Sequence, residues 1–181
     1  MQNFFALRAK QLAQNLGIEL EIVPVEMPSG EDEVPAPARE HEAEQTSYLR
    51  ERRYGRARAA VLADVFEDRR YLVLATGNKS EISIGEASLF GDLVGGFAPL
   101  KDCPKTLVYE LADYRDRRGT VFPLRTLLSP STMQRLGPLG LPSYAMLDDI
   151  VQRYIEHHEG VDDLVAAGHD ADVVVAILRR I

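Results

Sequence analysis

Lys79, Ser80 and Glu81 set an ammonium, a hydroxyl and a carboxylate on three successive residues, directly after Thr76-Gly77-Asn78. Together they offer a charge for an anion, a hydroxyl that donates and accepts, and an acceptor-only carboxylate. Between Gly85 and Gly96 the glycines permit positive φ and close backbone approach to a ligand. Within that stretch Asp92 can accept hydrogen bonds from hydroxyls or a guanidinium. Lys105 adds a second cation further on. Taken singly, each has an ordinary use: Thr76 suits a helix cap, Glu81 a first helical turn, Lys105 a solvated surface. The joint spacing is what favours a site.

The elements that must position these groups follow from hydrophobic pattern. Tyr71 to Ala75 is an unbroken apolar run, the signature of a strand buried on both faces, and Thr76-Gly77-Asn78 ends it with turn composition. In open α/β sheets, ligands bind at such carboxyl ends. Phe4, Leu7, Leu12 and Leu16 form a helical stripe that Gly17 is placed to stop, and Leu20 to Val25 reads as a strand. Residues 26 to 48, with three prolines and a dense acidic run, read as a flexible loop. From about Glu44 to Glu67 the pattern is helical, with Arg50, Arg52, Arg53, Arg56 and Arg58 on a face that is solvated by default. Pro104 opens a helix ending near Gly119, Phe122 to Leu128 reads as a short helix, and 129 to 143 as loop. Helices follow at Ala145 to His158 and from about Ala171 to Ile181.

Thr76-Gly77-Asn78-Lys79-Ser80-Glu81, Gly85, Phe90-Gly91-Asp92, Gly95-Gly96, Ala98-Pro99, Lys101-Asp102 and Pro104-Lys105-Thr106 closely resemble the central block of NAD synthetases, most like the glutamine-dependent branch. The resemblance extends more weakly from about Phe4 to about Ile181, including Leu12-Ala13-Gln14-Asn15-Leu16-Gly17-Ile18 and Leu141-Pro142-Ser143-Tyr144. It implies an α/β fold, a Rossmann-like parallel sheet of the adenine nucleotide alpha hydrolase type with flanking helices, incomplete within residues 1–181. The implied activity is ATP-dependent amidation of deamido-NAD to NAD through an acyl-adenylate.

The resemblance also assigns roles. Glu81 and Lys105 are implied as catalytic, Glu81 as the Mg2+ ligand, and Thr76, Lys105 and Ser131 as ATP contacts. Arg56, Glu81, Ser88, Leu89 and Asp92 are implied as deamido-NAD contacts. Several positions depart from the family's pattern: Arg52 and Tyr54 stand for Asn and Gln, Glu86 for an aromatic residue, and Thr132-Met133-Gln134 for Ala-Glu-Leu. Glu86 removes a stacking surface and adds negative charge near an anionic ligand. The family's Ser-Gly-Gly-x-Asp-Ser phosphate loop, its basic tail and its ammonia-supplying glutaminase have no counterpart in these residues. The chain therefore reads either as part of a synthetase or as a dinucleotide-binding or assembly module without ATP turnover.

Composition bounds the alternatives. A net charge of −7 disfavours nucleic acid and anionic membranes as partners. No run of about 18 or more apolar residues could span a bilayer, and the start lacks signal-peptide character. Cys103 is the single cysteine, which agrees with a reducing, cytoplasmic compartment and suits a small structural hydrophobe. His41, His157, His158 and His169 lack metal-ligand spacing and read as solvated. Two strands are too few for a covered parallel sheet, so apolar surface should lie exposed along a sheet edge, awaiting a second copy or a further portion of the protein.

Overall fold

The computed structural model describes residues 2–25, 40–87, 90–91, 93–119, 121–122 and 142–181. Helix α1 spans Gln2–Leu16 and stops at Gly17, whose φ of +65° is the left-handed conformation that glycine adopts without a Cβ penalty. Helix α2, Glu40–Arg69, starts inside the stretch expected to be loop. The glutamates and alanine of Glu40-His41-Glu42-Ala43-Glu44 are good helix formers, so the acidic run extends the helix. Arg52 on α2 donates to the Gly85 carbonyl at 2.8 Å, tying the helix to the turn after the central block.

The two expected strands do not form as such among the described residues. Leu74 pairs with Phe97 in an isolated parallel bridge, made by Ala75 N–H to the Phe97 carbonyl and Gly96 N–H to the Val73 carbonyl, each 2.9 Å. Residues 18–25 run without assigned strand structure. Tyr71, Leu72 and Leu74 are exposed rather than buried on both faces, because a parallel strand is covered only when it has neighbours at both edges and helices on both sides. With Phe97 they leave apolar side chains exposed, although no sheet edge forms among the described residues. Gly95 makes the single bridge possible: a Cβ there would stand 2.8 Å from Ala75 N and 2.9 Å from the Val73 oxygen.

The core lies in the second half of the chain. Helices α3 (Lys79–Ser83), α4 (Lys105–Asp116) and α5 (Tyr144–Val151) pack on one another, and α5 continues into a π-helical turn over Gln152–Glu156. Helices α6 (Val161–Ala166) and α7 (Ala171–Leu178) pack as a pair. Ile84, Tyr144, Leu147, Ile150, Val151, Leu164, Val174 and Ile177 form the buried cluster. Asp170 caps α7 by accepting from Asp172 and Val173 N–H.

His169 departs from the solvated reading. Its side chain is 12% exposed, and Nε2 lies 2.7 Å from Asp149 Oδ2. Asp149 also receives Arg153, which reaches on to Glu159, so one charged network joins α5 to the segments before α6 and α7. The expected helix at 122–128 and the loop at 129–143 fall largely outside the described residues.

Candidate functional site

The site is assembled where α3 and α4 begin. Asn78 is the N-cap of α3: its side chain accepts from Glu81 N–H at 3.1 Å, and Glu81 Oε2 accepts from Asn78 N–H at 3.2 Å. This reciprocal capping box fixes the Glu81 side chain on the first turn. Thr76, the other capping candidate, is exposed two residues ahead. The capping use occupies one Glu81 oxygen and leaves the other to a second partner. Lys105 Nζ lies 2.7 Å from Glu81 Oε1.

Lys105 is the first residue of α4, and it is held from three sides. Its ammonium stands 5.7 Å from the Tyr109 ring centroid and 5.5 Å from that of Tyr144, within cation–π range of both. The two rings meet edge to face. Burial pushes the Tyr144 hydroxyl far above its ordinary value, and the Glu86 and Glu81 carboxylates add to it. Burial also raises Tyr109, against the opposing charge of Lys105. Both phenols therefore stay neutral and present their rings to the ammonium. The spacing Lys105 to Tyr109 is i, i+4 and could have been read from the sequence; the approach of Tyr144 needs α5 docked in place.

The beginnings of α3 and α4 are also joined through backbone groups. Ser80 Oγ accepts from Lys105 N–H at 2.8 Å and donates to Asp148 Oδ1, while Asp148 Oδ2 accepts from Thr106 N–H at 2.9 Å. Lys79, by contrast, turns away and pairs with Glu156 on the π-helical turn. A recess of about 190 Å³ opens on that side, lined by Lys79, Ser80, Pro104, Asp148 and Glu156 among others. Neither Glu81 nor Lys105 lines it.

Of the expected site residues, Glu81 and Lys105 come together. Thr76 lies at the same chain turn, exposed, and Arg56 is exposed on α2; neither bonds to the Glu81–Lys105 pair. Ser88, Leu89, Asp92 and Ser131 lie outside the described residues. As a metal ligand Glu81 fits a limited part: magnesium commonly takes one or two protein carboxylates and completes its shell with water and phosphate oxygens. No group of three or more His, Cys, Asp or Glu side chains among the described residues could hold a metal alone.

The sequence profile of the NAD synthase family matches residues 6–181. The glutamine-dependent NAD(+) synthetase of Xanthomonas campestris is 35% identical over 179 residues, covering 96% of this chain and 32% of the relative. That of Aquifex aeolicus is 36% identical over 182 residues, covering 96% of this chain and 31% of the relative. Among solved structures, the glutamine-dependent NAD+ synthetase of Acinetobacter baumannii, in complex with ADP, aligns with a TM-score of 0.53 at 34% identity, over 96% of this chain and 31% of that one. The NH3-dependent NAD synthetase of Campylobacter jejuni, in complex with nitrate, aligns with a TM-score of 0.64 at 20% identity, over 95% of this chain and 64% of that one, a likeness of fold. The chain thus spans between about a quarter and a third of the length of the curated relatives it matches. With the central block, its paired Glu81 and Lys105 and a profile match over nearly every residue, this chain belongs to the NAD synthase family.

Proposed function

We propose that this chain forms part of an enzyme that amidates deamido-NAD to NAD, spending ATP to adenylate the nicotinate carboxylate before ammonia displaces AMP. The observation that carries this reading is the Glu81–Lys105 pair at 2.7 Å, set at the beginnings of two helices within the family's most distinctive block. Lys105 supplies a point charge for the phosphates of ATP and for the pyrophosphate that leaves. Glu81 supplies one oxygen ligand for Mg2+, which when bound would neutralise developing phosphate charge. The ADP in the Acinetobacter baumannii relative supports an adenine nucleotide as ligand.

Thr76 and Ser131 are the further ATP contacts in this reading, and Arg56, Ser88, Leu89 and Asp92 hold deamido-NAD beside Glu81. Tyr71–Ala75 is then one strand of a Rossmann-like parallel sheet, and residues 1–181 make up part of one synthetase domain. The exposed Tyr71, Leu72, Leu74 and Phe97 are surface for a neighbouring strand, a second copy or another portion of the enzyme. Ammonia comes from a glutaminase, in line with the glutamine-dependent relatives. No helix among the described residues is long and apolar enough to cross a membrane.

The test is NAD formation by the complete product of the gene that encodes these residues, with deamido-NAD, ATP, Mg2+ and either ammonium or glutamine. Formation that needs ATP and falls at least about 100-fold in Glu81→Ala supports the proposal. Absence of NAD formation, or formation indifferent to Glu81→Ala, refutes it.

A further inference from the structure

Pro104, the N-cap of α4, has no side-chain donor or acceptor to offer, so its side chain caps none of the first-turn N–H groups. The first turn of a helix nevertheless leaves N–H groups without intrahelical partners. In α4 two of them are satisfied from other elements. Lys105 N–H goes to Ser80 Oγ on α3, and Thr106 N–H goes to Asp148 Oδ2 on α5. Ser80 passes its own hydroxyl hydrogen to Asp148 Oδ1, so one carboxylate governs both. Asp148 and Ser80 are 8% and 1% exposed. Burying a carboxylate is costly unless its oxygens receive hydrogen bonds, and here each oxygen receives at least one.

The consequence concerns the site. Glu81 follows Ser80 directly, and Lys105 is the residue whose N–H Ser80 receives. The Asp148–Ser80 unit therefore locks the backbone of α4 to that of α3 at the very residues that carry the Lys105 ammonium and the Glu81 carboxylate. We propose that Asp148 is a positioning residue: acting through Ser80, it sets the register of the two helix beginnings and thereby holds Lys105 against Glu81. Its relevance to catalysis rests on the NAD synthetase reading above, but the positioning is a property of the fold.

Asp148→Asn and Ser80→Ala test this separately. The amide can still accept from Thr106 but turns a donor toward Ser80, whose hydroxyl then has no acceptor for its hydrogen. Ser80→Ala removes the hydroxyl alone. Lys105 is followed by competitive acetylation and mass spectrometry, with the exposed Lys101 as internal reference and Glu81→Gln as the control that abolishes the charged pair. Both variants are expected to keep helical circular dichroism and to raise Lys105 labelling about two- to fivefold, the factor that a pair of this exposure holds back, to the level of the control. Labelling of Lys105 at the wild-type level in either folded variant overturns the proposal. So does loss of the folded signal in both, which would make Asp148 a residue of the fold alone. Because the labelling needs no nucleotide, absence of NAD formation would overturn the function proposed above and leave this result standing.

Discussion

Glu81 Oε1 accepts from the Lys105 ammonium at 2.7 Å while Glu81 Oε2 closes the capping box with Asn78 N–H, so one carboxylate caps the start of α3 and anchors a cation from α4. The pair is part-buried and bordered by two tyrosine rings, which places it between a surface salt bridge and a buried one.

For stability, the pair should matter little. Lys105→Met is expected to cost about 1 kcal/mol or less, the usual range for a pair that remains in contact with water. Thermal unfolding of wild type and variant checks this. ATP affinity, measured by calorimetry on the same proteins, is expected to fall at least about tenfold, since a phosphate then lacks its point charge. Lys105→Arg should not fully restore it, because the guanidinium spreads its charge over a planar fork where lysine presents a compact point charge.

The helical core should be far more sensitive. Leu147 and Leu164 have no exposed surface, and Leu147→Ala or Leu164→Ala is expected to destabilise by about 2–5 kcal/mol through lost burial and the cavity left behind. Denaturant titration with an unchanged slope would verify it.

Gly95→Ala tests the parallel bridge. The new methyl would lie 2.8 Å from Ala75 N and 2.9 Å from the Val73 oxygen, both backbone atoms that cannot swing aside. The bridge should open, with faster amide hydrogen exchange at Ala75 and Gly96 and a loss of about 1–3 kcal/mol.

Acid should weaken the union of α5 with the segment before α7. Partial burial pushes the Asp149 carboxyl up, but hydrogen bonds from His169 and Arg153 outweigh it and hold it below its ordinary value of 3.8. A depressed carboxylate contributes stability that is present above its unfolded value and is lost as pH falls through the folded one. Wild type is therefore expected to lose stability relative to Asp149→Asn as pH falls below about 4, which acid denaturation of the two proteins checks.

The sequence was most legible where local chemistry decides the structure. Gly17 marked the end of α1, Pro104 the start of α4, and the spacing of the central block brought Glu81 and Lys105 together. It was least legible where structure depends on partners distant in sequence. The apolar run at Tyr71–Ala75 reads as a doubly buried strand only if neighbours cover it, and the described residues give it one bridge. The acidic residues from Glu40 onward looked solvated and loop-like, although glutamate is a good helix former. His169 looked solvated because nothing local predicts Asp149, twenty residues earlier, as its partner. Asp148 was silent in the sequence for the same reason: its partners Ser80 and Thr106 come from two other helices.

The most direct test is a double-mutant cycle on deamido-NAD-dependent pyrophosphate release by the complete gene product, using Glu81→Gln, Lys105→Met and both together. If the two residues act as one unit on the adenylation step, each single variant loses at least about 100-fold in kcat/KM, and the double variant falls no more than about threefold below the weaker single. Either single variant remaining within about threefold of wild type, or losses that multiply in the double variant, would contradict the account.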